Sequence, residues 1–483
     1  MMRTLARRTV ASGCLGGVRR YGLIAAVVLS WLWFASAIGV EAQTKEPQLS
    51  SLDRSIIEQM LKETNETIRE QYFDPNFQGA DLDASYRQAE EAIASASSVQ
   101  QGYETIERFL TALHDSQTHF VPPRQPFMVE PGWRMQMIGD RCLVTRVNAD
   151  SDAAAKGLKA GDRILAVDGV KPSRANWLSL QYQLKVLRLR SSLHLIVASP
   201  GSQPKIMVVK SVVHQLPAEY DLQTNDIWRI YDHNQRQWHR YEARSVEVEN
   251  VAVLKLPAFA LKNELAIDSF FHKAAKCPAV VIDLRGNLGW FEGLLSPWIR
   301  IGRSMDRSST GGEETVMLEM LGRFFDHETK VGDFVGRNKT QPLVVKGRGS
   351  HAYQGKVVVL VDSESASSSE IFARVLQLEK RGMVVGDASA GAVRLAQRFK
   401  FVQYRGWGPG TQSVEGVSVS VADLKMTDGK SLEKVGVTPD EIVLPTPEEL
   451  AAGADPQLAR ALQLAGAPLS SEKTGKLFPV VEE

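Results

Sequence analysis

Three features of this 483-residue chain predict an α+β protein built from several domains. Apolar residues recur at helical spacing between Leu52 and Leu113; short alternating runs broken by Gly and Asp turns fill residues 131 to 213; β-branched runs alternate with helical segments from residue 214 onward. The composition, with 37 Gly, 21 Pro, 43% hydrophobic and 23% charged residues, is that of a globular protein and excludes collagen, coiled coil and wholesale disorder. At roughly 100 to 200 residues per domain the length implies about two to four domains. Lys plus Arg is 57 and Asp plus Glu is 56, a formal charge of +1 with no long basic run, which argues against a nucleic-acid partner.

Residues 1–42 read as an export signal. Arg3, Arg7, Arg8, Arg19 and Arg20 precede an apolar run from Tyr21 to Val40, and Val40-Glu41-Ala42 supplies the small-x-small cleavage site. If the segment is kept, residues 21–40 are long enough to anchor the chain in a bilayer. Either way the body is expected outside the cytoplasm, periplasmic or extracellular, and touches a membrane only if the segment is retained. Cys142 and Cys277 fall far apart and make no disulfide framework, and no Cys/His spacing suggests a metal site. No cofactor is indicated.

The helical N-terminal region, residues 50–128, carries Ile56, Ile57, Met60, Leu61 and Ile68 on one stripe and ends near Pro122-Pro123, where prolines stop the last element. Residues 131–213 form a small β-rich domain. Its order of Gly132-Trp133-Arg134, a strand at Cys142–Val147, then Gly157-Leu158, Gly161-Asp162 and Asp168-Gly169 resembles a PDZ domain. That resemblance implies a groove that adds a peptide as an extra strand and holds its C-terminal carboxylate on the backbone near Gly132, Trp133 and Arg134. A structural module whose groove is filled from within is the alternative. The core, residues 214–450, contains Val251–Leu256, Ala279–Leu284, Lys356–Asp362 and Met383–Gly386 as β-branched runs; residues 451–483 read as a helix and a loose tail.

Two segments could carry chemistry. In Val361-Asp-Ser-Glu-Ser-Ala-Ser-Ser-Ser-Glu370 a strand runs into a serine-rich turn that opens an amphipathic helix, where N–H groups and the helix dipole stabilise an oxyanion. Ser367 and Glu370 also have the spacing of a capping box, so the serine could equally cap the helix. In Asp283-Leu-Arg-Gly-Asn-Leu-Gly289 a second strand ends in a Gly-bearing turn whose backbone could approach a reacting carbonyl.

Together with Asp115-Ser-Gln-Thr-His-Phe-Val-Pro-Pro123 and Gly436-Val-Thr-Pro-Asp440, these segments resemble the C-terminal processing (tail-specific) peptidases, including their tricorn-like branch. The resemblance implies a ClpP/crotonase-like core and serine-type hydrolysis of peptide bonds. Carried over, Ser367 matches the nucleophile, the N–H groups of Ser368 and Gly289 match the oxyanion hole, and Ser116 and Glu433 match tricorn-like supporting residues. The base departs from the pattern: Ala392 stands where the family has lysine and Gln117 where the tricorn-like branch has histidine. A neutral amide cannot accept the serine proton. His119, two residues on and on the same face of an extended segment, is a candidate substitute or else a residue packing in place of an aromatic one, with Lys400 an outside candidate; Trp290 replaces a glycine beside the hole.

The function this implies is an exported serine peptidase acting on polypeptides whose free C-termini the PDZ domain engages. The second reading is a catalytically silent relative that binds peptides or another ligand. The sequence leaves oligomeric state open.

Overall fold

The computed structural model describes residues 49–123, 125, 127–215, 241–289, 312–401 and 415–478. The export segment and Trp290 lie outside them. Three helices open the described chain, Ser51–Gln71, Leu82–Ala94 and Val99–Thr111, each started by a side-chain cap: Ser50, Asp81 and Ser98 accept from the N–H groups of Asp53, Ala84 and Gln101. The stripe foreseen from spacing is buried, with Ile57, Met60, Leu61 and Ile68 joined by Ile106, Phe109 and Leu110. These side chains pack with Phe120, Val121, Tyr182, Leu187, Val417 and Val419 in one cluster, so the helices share a core with distant strands.

The β-rich module is a five-stranded antiparallel sheet in the order Trp133–Ile138, Arg141–Val147, Arg163–Val167, Ser192–Ala198, Lys205–Lys210. Trp133, Met137, Val144, Ile164, Trp177 and Leu195 form its core. Trp133–Ile138 is the edge strand, and the helical stretch Trp177–Tyr182 runs on into a π-turn, Gln183–Leu187.

The largest sheet has six strands, Glu441–Ile442, Met383–Gly386, Lys356–Val361, Ala279–Asp283, Val251–Lys255 and Arg244–Val248, all parallel to their neighbours except the last pair. Parallel strands are buried on both faces, and the alternation of side chains divides the β-branched runs between them. Leu254, Ile282, Val359 and Val384 face the cluster containing Phe270, Met317 and Phe372; Val253, Val281, Val358 and Val385 face Leu458, Ala461 and Leu462. The segment after residue 451 supplies the expected helix, Pro456–Ala465, whose apolar stripe closes the second face. A further sheet is built around the long strand Gly416–Met426, which pairs with Thr329–Gly336, Leu395–Lys400 and the short strand His119–Val121.

Candidate active site

Three adjacent parallel strands deliver three turns to one edge of the large sheet, the carboxyl end where open α/β sheets place their sites. Ala279–Asp283 leads into the turn 284–289, Lys356–Val361 into 362–367, and Met383–Gly386 into 387–392. The turns are stitched to one another. Ser365 Oγ donates to the Leu284 carbonyl at 2.9 Å, Gly286 N–H to Asp362 Oδ1 at 3.0 Å, Ala366 N–H to the Asn287 carbonyl at 2.9 Å and Ser367 N–H to the Ala392 carbonyl at 2.9 Å. Beneath them Arg285 bridges the buried Asp283 and Asp455 of the C-terminal helix, and its charge and that of Lys255 hold the Asp283 carboxyl well below the carboxylate range despite its burial.

Ser367 sits at the mouth of the helix Ser368–Leu378, half-buried, with φ 57° and ψ −119°. That is positive φ without the ψ of the left-handed helix, a conformation an L-residue keeps only where its surroundings impose it. A strained strand-to-helix turn of this kind is how a nucleophile is lifted clear of a sheet. Gly289 lies against it: with φ 58°, a Cβ there would stand 2.8 Å from Ser367 Cβ and 3.5 Å from Ser367 Oγ, so only glycine lets the backbone approach. Ser368 N–H is the first of the helix and has no intrahelical acceptor. Gly289 N–H is donated over 3.2 Å to Asn287 Oδ1 within its own turn.

The capping-box reading of Ser367 and Glu370 is met in half. Glu370 Oε2 accepts from Ser367 N–H at 3.0 Å, but the Glu370 N–H goes to the Ser367 carbonyl. The carboxylate also accepts from Ser389 Oγ and from the N–H groups of Gly391 and Ala392, at 2.6 to 2.8 Å. Burial raises its pKa to about 7 in spite of these donors. Glu370 is thus the clamp that fixes the third turn to the Ser367 turn, a role that sequence spacing alone did not reveal.

On the opposite side stands the loop 115–118. Asp115 Oδ1 accepts from the N–H groups of Gln117 and Thr118 and from Ser420 Oγ, while its other oxygen accepts from Tyr72 Oη and from Arg394 Nη1 at 2.9 Å. Arg394, buried and laid over the Phe73 ring, is therefore structural. The structure brings Ser116 and Glu433 together: Ser116 N–H and Oγ donate to the two Glu433 oxygens at 3.0 and 2.9 Å. Glu433 is buried, and its pKa is pushed up to about 6 by that burial and by Asp115.

Gln117 reaches the Ser367 turn. Its Nε2 donates to the Ala392 carbonyl at 2.9 Å, the same carbonyl that accepts from Ser367 N–H, and its buried Oε1 has no hydrogen-bond partner among the described residues. Ala392, at the place of the missing lysine, is fully buried. His119 is turned elsewhere. Its ring is buried and stacked on Tyr182, with Nδ1 2.8 Å from Glu107 Oε1 and Nε2 3.0 Å from the Ser116 carbonyl, so neither nitrogen is offered to Ser367. Burial lowers its pKa, but Glu107 outweighs that and the net shift is upward. Lys400 is exposed at the end of Leu395–Lys400. In the β-rich module Gly132 (φ 70°) and the Trp133 side chain are buried, while Arg134 is exposed on the edge strand.

Comparison with known proteins assigns the class. Residues 130–198 match the PDZ domain model, and residues 250–443 match that of peptidase family S41. Over its core the chain is thus similar to the S41 serine peptidases, and it carries a module similar to PDZ domains. It is 25% identical to a carboxyl-terminal-processing protease of Picosynechococcus sp., over 71% of this chain and 73% of that one. It is 22% identical to the chloroplastic carboxyl-terminal-processing peptidase 1 of Arabidopsis thaliana, over 84% and 74%. Among solved structures, mature CPAF shares the fold with a TM-score of 0.58 at 13% identity, covering 83% of this chain and 95% of that one.

Proposed function

We propose that this chain is an exported peptidase that engages the C-terminal ends of polypeptides along its PDZ edge strand, at Gly132, Trp133 and Arg134, and hydrolyses their peptide bonds with Ser367. The observation that carries the reading is the strained, half-buried Ser367 with Gly289 pressed against it. In the step it implies, Ser367 Oγ bonds to the substrate carbonyl carbon, the hydroxyl proton leaves to water, and the oxyanion accepts from Ser368 N–H and Gly289 N–H. Gly289 N–H would exchange its long bond to Asn287 for the charged acceptor. Collapse expels the amine, which takes a proton from water, and a second water hydrolyses the ester. Ser116 and Glu433 hold the loop that faces the nucleophile.

With Gln117 in place of an imidazole this route lacks the general base, a group that typically contributes about 10²–10⁴ in rate. The orphaned Oε1 of Gln117 favours the second reading, a relative that binds C-termini and turns over none. Residues 43–483 incubated with an unfolded protein, with products followed by mass spectrometry, separate the two. Slow cleavage that disappears in Ser367→Ala supports the peptidase. An inert parent, with cleavage only in Gln117→His, means a binding protein on a competent scaffold.

A further inference from the structure

Two aspartates of the core bind the same hairpin of the PDZ module. Asp362 and Asp387 each follow directly on one of two neighbouring parallel strands, Lys356–Val361 and Met383–Gly386, and each meets the hairpin that begins with the edge strand Trp133–Ile138. Gln136 Nε2 donates to Asp362 Oδ2 at 2.7 Å, and Gly139 N–H donates to Asp387 Oδ2 at 2.8 Å. Between them Ser363 Oγ donates to the Met137 carbonyl at 2.6 Å, and Arg174 of the PDZ module donates to the Ala388 carbonyl at 2.6 Å. The module is thereby fastened to the Ser367 turn and to the turn 387–392.

The two aspartates differ in what their other oxygens hold. Asp387 Oδ1 accepts from the next N–H, that of Ala388. Asp362 is buried, and its Oδ1 gathers three donors: Gly286 N–H at 3.0 Å, Glu364 N–H at 3.0 Å and Ser365 Oγ at 3.2 Å. Gly286 belongs to the Gly289-bearing turn and the other two to the Ser367 turn, so one oxygen ties those turns together. Asp362 Oδ2 accepts only from Gln136 among the described residues. A carboxylate accepts and does not donate, so the Gln136 amide must present its nitrogen, and that bond sets the rotation of the carboxylate. Without it a buried oxygen loses its partner, and the carboxylate is free to turn Oδ1 away from Gly286.

We infer that Gln136 is a positioning residue for the reaction at Ser367: through Asp362 it holds the Gly289-bearing turn in register with the Ser367 turn. The PDZ module is then a brace of the oxyanion hole as well as a receptor for polypeptide ends. The inference rests on the proposed roles of Ser367 and Gly289.

Exchanging donor and acceptor across the Gln136–Asp362 bond tests this in the full chain at about pH 8, where carboxyls are ionised. Hydrogen exchange followed by mass spectrometry reads the turn 284–289, and the rate of fluorophosphonate adduct formation on Ser367 reads the site. Exchange in the helix Ser51–Gln71 checks that the fold is intact. Gln136→Glu sets two carboxylates against each other and should raise exchange at 284–289 about tenfold and slow the adduct by a similar factor. Gln136→Leu, which only removes the donor, should change both by about threefold. Asp362→Asn should act weakly, because the Gln136 amide can turn over and accept from the new one. In the Asp362→Asn background Gln136→Glu should cost nothing further, since its carboxylate then accepts from the asparagine amide. Exchange at 284–289 that is the same in all variants overturns the inference, and so does a Gln136→Glu effect that Asp362→Asn fails to relieve. An adduct rate that does not follow the exchange also overturns it. If exchange follows the pattern but Ser367 forms no adduct in any variant, the nucleophile reading fails and the positioning role falls with it.

Discussion

The Ser367 side of the proposed site and the loop 115–119 that faces it are built by different means. Around Ser367 almost everything that matters is backbone: a positive-φ turn, the first N–H of a helix, and a glycine with no room for a Cβ. Facing it, the loop is fixed by Asp115, Glu433 and their donors, none of which depends on the side chain at 117. The loop can therefore keep its shape while residue 117 changes from a base to an amide. The contrast implies that the backbone frame of the proposed site holds independently of the side chain at 117, on which its rate would turn.

The sharpest test of that contrast is to restore the base. Gln117→His should raise kcat/KM on an unfolded protein by about 100-fold or more, read by product formation against time, because the surrounding loop already holds the residue next to the Ala392 carbonyl. His119→Ala should not change turnover in that variant beyond what its stability loss causes, since its nitrogens face Glu107 and the Ser116 carbonyl rather than Ser367.

Breaking the loop should cost folding energy as well as geometry. Asp115→Ala leaves the buried Arg394 without its carboxylate and is expected to destabilise by about 3–5 kcal/mol in denaturant unfolding. On the nucleophile side, Gly289→Ala forces a Cβ into Ser367 and imposes positive φ on alanine. A loss of about 1–3 kcal/mol is expected, together with slower reaction of Ser367 toward serine-directed reagents.

The smallest effect is on pH dependence. Burial raises the carboxyls of Glu433 to about 6 and Glu370 to about 7, above the value of about 4.3 for a glutamate in an unfolded chain. The folded state then binds these protons more tightly than the unfolded state, so their contribution to stability is fullest below about pH 4.5 and is lost as pH rises to about 7. Glu433→Gln should flatten the lower part of that slope in Tm measured from pH 4.5 to 7.5. An unchanged slope would mean that Glu433 titrates normally.

Much of this was legible in the chain. The strand-turn-helix around Ser367, the Gly-bearing turn at 283–289 and the PDZ glycines are short motifs whose local geometry follows from their residues. The rest depends on contacts that no local pattern encodes. Gln117 meets a carbonyl 275 positions away, and Glu370 closes on the turn at 389–392. His119 was expected to share the face of Gln117. The segment becomes strand only at His119, so the alternation does not extend back to 117, and Glu107 on a helix captures the imidazole. Glu433, which in sequence could as well be a surface carboxylate, is buried because the loop 115–118 folds over it. The helix of the last segment was legible, but not that its stripe of Leu458, Ala461 and Leu462 closes one face of the large sheet.

The central claim is that Ser367 stands in an assembled nucleophile turn whose base position is held by an amide. A fluorophosphonate probe, with the adduct located by mass spectrometry and its formation timed in the parent, Ser367→Ala and Gln117→His, tests it most directly. The account predicts a slow adduct at Ser367 in the parent, none in Ser367→Ala, and formation at least about tenfold faster in Gln117→His. Equal rates in the parent and Gln117→His would contradict it, because the serine would then already be served by a base at some other position.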